Sequence, residues 1–196
     1  IGENKLKKKK KKKTMATPSF SFGSTLVLCV IFASLIALTT SNSLADLCIK
    51  CQSPKFCLQV FGLNPHRNPY ELTLEAINLT FTNASDTTNK IHTFLDQTND
   101  ENLQEIYNYC LNYYESSIDI LRDVEDHLLK QGIFDTLSTI GAFVQEVGSS
   151  CEDRFQEIVD DVYASTLTEN NNNMRNFGSI IIVAGDLLSN STSTNK

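Results

Sequence analysis

Apolar side chains recur along this chain at alternating steps of four and three, the spacing that lays one stripe down the face of a helix. The first long segment carries Tyr70, Leu74, Ile77, Phe81, Ala84, Ile91 and Leu95, with Thr88 filling the stripe. The second carries Tyr107, Cys110, Tyr114, Leu121, Val124 and Leu128, with Ser117 between them. The third carries Leu137, Val144, Cys151, Phe155, Ile158 and Val162, with Gly141 and Gly148 as its weak places. The fourth, a shorter one, carries Met174, Phe177, Ile181, Ala184 and Leu188. Turn-forming residues separate them at Gly62–Pro69, Asp96–Asp100, Lys130–Gly132 and Thr168–Asn173. Period-two alternation is almost absent. The pattern predicts an all-α fold, an antiparallel four-helix bundle in which each stripe is an ordinary core face rather than a cofactor site.

The N-terminus changes what the rest must be. Residues 1–14, "IGENKLKKKKKKKT", hold a lysine run with no packed structure, and Met15 is the expected start, which makes 1–14 a non-native leader. From Met15 a thirteen-residue apolar block, Leu26 to Leu38, is followed by small residues and "SLA", Ser43 to Ala45. That is the form of a signal peptide over 15–45, cleaved after Ala45, and the block is short for a membrane span. A retained anchor is the alternative. The expected domain is 46–189, a hairpin over about 46–68 and a bundle over about 69–189, with a flexible polar tail over 190–196.

Export also alters the charge. The whole chain carries −6, but from Asp46 onward nine Lys/Arg stand against twenty-two Asp/Glu, a net of −13. Nucleic acid is thereby excluded as an expected partner, as is a membrane once the signal is removed. A basic protein surface remains a suitable one.

Cys29 falls within the apolar block, so five cysteines remain: Cys48, Cys51, Cys57, Cys110 and Cys151. In an oxidising compartment an odd count leaves one over. Cys110 and Cys151 lie on the stripes of consecutive helices, about eighteen and nineteen residues either side of the Lys130–Gly132 turn, so they stand at similar heights and a bond is geometrically reasonable. It would contribute about 3–4 kcal/mol by restricting the unfolded chain. The remaining three then pair among themselves. Cys48–Cys57, closing a short helix–turn–helix around Pro54, has Cys51–Cys57 as its main rival. A redox role for Cys48-x-x-Cys51 needs a βαβ setting that the pattern lacks. A zinc site needs a fourth ligand, for which only His66 is near.

Catalysis finds no support. His66, His92 and His127 are scattered over different segments, and "GSSC" (Gly148 to Cys151) is not a strand-to-helix nucleophile elbow. The pairs Glu152/Asp153 and Asp160/Asp161 are adjacent in sequence and so point apart on a helix. No catalytic residue, cofactor or metal is expected. Three N-x-S/T sequons follow the signal, at Asn78, Asn83 and Asn190. Asn83 lies off the stripe and is the favoured glycan site, Asn78 flanks the stripe, and Asn190 is in the tail. Glycans on the outer face of the first long helix would direct a partner elsewhere.

The cysteine order carries a resemblance. Cys-x8-Cys directly after a signal peptide, "YNYCLNYYESSIDIL" (Tyr107 to Leu121) and "SSCEDRF" (Ser149 to Phe155) together resemble the plant invertase and pectin methylesterase inhibitor family. The similarity runs from Asp46 to about Asn190, and it extends to the plane-pollen allergen subgroup of invertase-inhibitor-like proteins. It implies a four-helix bundle preceded by a helical hairpin, with disulfides Cys48–Cys57 and Cys110–Cys151. Cys51 is an extra, unpaired thiol, buried or linking two chains as a dimer. It implies stoichiometric inhibition of a secreted enzyme, pectin methylesterase or acid invertase, in the apoplast or the vacuole. Invertase inhibitors of the family carry Pro-Lys-Phe before the fourth cysteine. Here that turn reads "KQGIFDTL", Lys130 to Leu137, and the Pro54–Phe56 "PKF" lies in the hairpin instead. Pectin methylesterase is therefore slightly favoured. The last helix, "FGSIIIVAGDLL", also departs from the family's Asn-Ala-Leu-Ala pattern. The rival is a secreted helical module without inhibitory activity. Tyr109 and Tyr113 are solvent-side candidates for target contact, although both could instead pack against the hairpin.

Overall fold

The computed structural model describes residues 43–62, 67–158 and 165–193. The expected leader and most of the expected signal peptide fall outside them. Two short helices, α1 (Ser43–Cys48) and α2 (Pro54–Phe61), form the hairpin. Four long ones follow: α3 (Pro69–Gln97), α4 (from Glu101), α5 (Leu137–Ile158) and α6 (Ser165–Ser193). Helix α4 runs regularly to Asp123, widens into one π turn over Val124–Leu128 and closes with Leu129–Gln131.

The helix starts follow from local chemistry. Pro54 opens α2 behind the Ser53 cap. Asn68 and Glu71 form a capping box at α3: the Glu71 N–H donates to Asn68 Oδ1 at 2.9 Å and the Asn68 N–H donates to Glu71 Oε2 at 3.2 Å. Asp100 Oδ1 accepts from the N–H groups of Asn102 and Leu103 at the head of α4. Gly132 ends α4 at φ 73°, where a Cβ would be strained.

Contacts join α3 to α4, α4 to α5, α5 to α6 and α6 back to α3, so the four long helices close around one core. Residues 98–100 are too few for anything but a reversal between α3 and α4. Between α5 and α6, Leu137 lies by Gly185, Gly141 by Gly178 and Gly148 by Asn171. Numbers rise on one helix as they fall on the other, which makes the pair antiparallel. A Cβ on Gly178 would lie 2.5 Å from the Gly141 carbonyl oxygen, so the glycines let α5 and α6 approach backbone to backbone. They are the contact itself, not weak places in the stripe.

The second and fourth stripes are buried as the pattern predicts: Tyr107, Cys110, Tyr114, Ser117 and Leu121 on α4; Met174, Phe177, Ile181, Ala184 and Leu188 on α6. Three expectations are corrected. The Thr168–Asn173 run is not a turn. It lies inside α6, which is as long as α3 at 29 residues. The described part of α5 ends at Ile158 and α6 begins at Ser165, and Val162 falls outside the described residues. The tail expected from 190 is helical through Ser193, its last turn held by buried Leu188 and by the Ser191 hydroxyl donating to the Leu188 carbonyl at 2.7 Å. On α3 the expected stripe is buried at Ile77, Ala84 and Ile91, but its centre is rotated: Tyr70 is exposed, while Thr73, Thr80 and Thr87 are fully buried.

Candidate functional site

The "CIKCQSPKFC" hairpin is built around its sulfurs. Cys48 and Cys57 are bonded, with Cα atoms 5.4 Å apart, and Cys110 and Cys151 are bonded between α4 and α5 at 5.1 Å. Cys51 is a free thiol, 6% exposed. Its S–H donates to the Leu47 carbonyl at 3.3 Å, and its Sγ lies 3.9 Å from Cys57 Sγ. Burial pushes its pKa from 9.0 up to about 11. Of the two expected states for Cys51, buried or linking two chains, the buried one is seen, with the sulfur in the hairpin core.

The hairpin docks on α6. The Gln52 N–H donates to Ser179 Oγ at 2.8 Å, and Phe56 meets Phe177 edge-on at 5.1 Å. The Pro54–Lys55–Phe56 motif therefore starts a helix and packs it. Leu44 of α1 is also part of the core, at 4% exposure, although it precedes the expected cleavage point.

Tyr109 and Tyr113 lie on the α4–α5 face, half-buried, and do not pack against the hairpin. Their rings sit 4.8 Å apart, and the Arg154 guanidinium of α5 stands 5.9 Å over Tyr109. Arg154 donates to Glu105 at 2.6 Å and to Glu157 at 3.0 Å, and these carboxylates, Glu105 foremost, hold it firmly charged. The hydrogen bond with Tyr109 raises the Tyr113 hydroxyl above the ordinary tyrosine range. Tyr109, Ser150, Asp153, Arg154 and Glu157 line a shallow depression here. The large exposed apolar residues Ile49, Leu58, Tyr70 and Ile133 are spread over the hairpin, the head of α3 and the turn after α4. The Tyr109–Tyr113 pair thus combines aromatic surface, one cation and an acidic rim. Its partners Arg154 and Glu105 were missed by pattern reading.

A polar network missed in the same way crosses the core. The Tyr114 hydroxyl donates to Asn171 Oδ1 at 2.8 Å, and Asn171 Nδ2 donates to Glu152 Oε2 at 2.8 Å. Thr168 donates to Glu152 Oε1 at 2.8 Å. Lys90 Nζ donates to Asn170 Oδ1 at 3.0 Å. Burial pushes Tyr114 well above its ordinary range and keeps it a neutral donor. These bonds are why an asparagine run, a poor helix former alone, is held helical.

The sequons separate on burial. Asn78 is exposed. Asn83 is half-buried, and its Nδ2 donates to the Asn170 carbonyl at 3.5 Å. Asn190 is exposed near the end of α6. His92 and His127 are exposed on different helices, His66 lies outside the described residues, and among the described residues no group of three or more His, Cys, Asp or Glu is placed to hold a metal. No helix among them is long and apolar enough to cross a membrane.

A family model described as Plant invertase/pectin methylesterase inhibitor matches residues 42–183. No curated protein matches the chain. Among solved structures it is similar to mutant form A of a pectin methylesterase inhibitor from Arabidopsis, with TM-score 0.65 and 20% identity over 74% of this chain and 96% of that one. It is similar also to a pectin methylesterase inhibitor from Arabidopsis thaliana, with TM-score 0.56 and 21% identity over 76% of this chain and 97% of that one. At such identities the structural likeness speaks for the fold alone.

Proposed function

The chain belongs to the plant invertase/pectin methylesterase inhibitor family, and from that premise we propose that it inhibits pectin methylesterase by one-to-one binding outside the cell. Membership makes it an inhibitor of pectin methylesterase or invertase rather than an enzyme. The family match is the observation that carries the reading. The narrower choice of target is supported by the Lys130–Leu137 turn, which lacks Pro-Lys-Phe, and by the structural use of Pro54–Phe56 in the hairpin.

We place the target contact on the α4–α5 face, with Tyr109 and Arg154 as anchors inside an acidic rim. Tyrosine and arginine are the side chains that most often dominate binding energy when a contact desolvates them. The charge of −13 from Asp46 onward suits a basic enzyme surface. An N-glycan on Asn78, on α3, leaves this face open.

The test is a paired titration against a plant pectin methylesterase and an acid invertase at mildly acidic pH. Saturating inhibition of the esterase near one-to-one supports the reading. Inhibition of invertase alone overturns the choice of target. A folded, disulfide-bonded protein that inhibits neither identifies a helical module without this activity. Tyr109→Ala should weaken the inhibited complex by about tenfold or more; unchanged affinity would move the contact to another face.

A further inference from the structure

Three sulfurs share the hairpin core, and the backbone explains why two of them can serve one partner. After α1 the chain turns tightly, with the Lys50 N–H donating to the Leu47 carbonyl at 3.1 Å and the Cys51 N–H donating to the Cys48 carbonyl at 3.2 Å. Side chains three apart in such a turn lie over each other. Cys48 and Cys51 are therefore presented from the same side to Cys57, the first bonded to it and the second with its sulfur 3.9 Å away. Cys51 and Cys57 are 6% and 0% exposed, so solvent does not separate them.

We propose that the hairpin disulfide exchanges internally between Cys48–Cys57 and Cys51–Cys57. The Cys51 thiol first gives up its proton. The thiolate attacks Cys57 Sγ, the Cys51–Cys57 bond forms, the Cys48–Cys57 bond breaks, and Cys48 leaves as a thiolate that takes up a proton. No oxidant or reductant is consumed. The exchange unties α1 from α2 while keeping one disulfide in the hairpin, so α1 loses its covalent tie and keeps its non-covalent contacts, the packing of Leu44 and Leu47 among them. The raised pKa of Cys51 sets the pace: the attacking thiolate is scarce at neutral pH and scarcer in acid, so the isomer ratio is fixed once the protein reaches an acidic compartment.

The experiment holds the full disulfide-bonded protein at pH 5, 7 and 9, quenches samples in acid, alkylates them with a maleimide under mildly acidic denaturing conditions and maps the peptides. The expected result is label on Cys51 at first, then label appearing on Cys48 with a rate that rises about tenfold per pH unit. Label confined to Cys51 at every pH after prolonged incubation overturns the proposal. Cys48→Ser supplies a second reading: a Cys51–Cys57 bond and no label in the hairpin are expected, and label on both Cys51 and Cys57 overturns it. Cys51→Ser should keep Cys48–Cys57 and take no hairpin label at any pH.

Discussion

Replacing Asn171 by alanine tests whether the asparagine run is a structural centre of the bundle. Asn171 and Tyr114 are both fully buried, and their side chains bond at 2.8 Å. Alanine removes this acceptor and leaves the buried Tyr114 hydroxyl with the Thr87 side chain as its remaining partner, a cost of about 1–3 kcal/mol. It also removes the 2.8 Å donor to Glu152. Glu152 is only partly buried and can rehydrate, so that loss is counted at about 1 kcal/mol. Alanine returns about 0.6 kcal/mol in helix propensity. The net is a loss of about 2–3 kcal/mol, or about 5–10 °C in melting temperature for a unit of this size. Urea unfolding followed by far-UV circular dichroism, with disulfides intact, measures it. Tyr114→Phe alone should cost about 1 kcal/mol, and the double variant should cost less than the two singles added, by about 1 kcal/mol. A neutral or stabilising Asn171→Ala, as expected of a surface turn, or strict additivity of the pair, would refute the network.

Three further outcomes follow from particular contacts. Gly178→Ala should destabilise by about 1–3 kcal/mol despite the better helix former, because the new Cβ would meet the Gly141 carbonyl oxygen at 2.5 Å and the Gln145 nitrogen at 2.7 Å; a more stable variant in the same urea assay would show that the crossing is wider. Cys51 has its pKa raised from 9.0 to about 11, so its protonated form is favoured and its thiolate fraction at pH 8 is about a hundredfold below that of an ordinary thiol. Its alkylation rate should keep climbing from pH 9 to 10, where an unperturbed thiol levels off, and a plateau near pH 9 would contradict its burial. In protein secreted from plant cells, Asn78→Gln should remove a glycan-dependent mass shift while Asn83→Gln leaves it, and the reverse pattern would count against the packing of Asn83 on α6.

How far the sequence could be read depended on whether a residue's polarity reflects its surroundings. The α4 stripe, and the α6 stripe from Met174 onward, were legible because the residues on them are nearly all apolar. The α3 stripe was legible at Ile77, Ala84 and Ile91, and its other edge was missed because Thr73, Thr80 and Thr87 each donate to the carbonyl four residues earlier, at 2.7, 2.6 and 2.6 Å. A threonine that satisfies its own hydroxyl in this way presents a methyl to the core and behaves as an apolar residue. The Thr168–Asn173 run failed for the opposite reason: its hydrogen-bond partners Tyr114, Glu152 and Lys90 lie far away in sequence, and no local rule contains them.

The candidate contact face was hidden for a geometric reason, and one signal could have exposed it. Tyr109, Glu105 and Arg154 come from two helices, and nothing in either helix alone brings them together. The Cys110–Cys151 bond fixes the register of α4 against α5. With those two residues level and the helices antiparallel, Arg154 must fall within a turn of Glu105 on the neighbouring helix. A cysteine pairing that can be argued from height alone therefore also locates an ion pair and the tyrosine beneath it. The disulfide fixes more than stability, since it sets which side chains of α4 and α5 share the surface that a partner would meet.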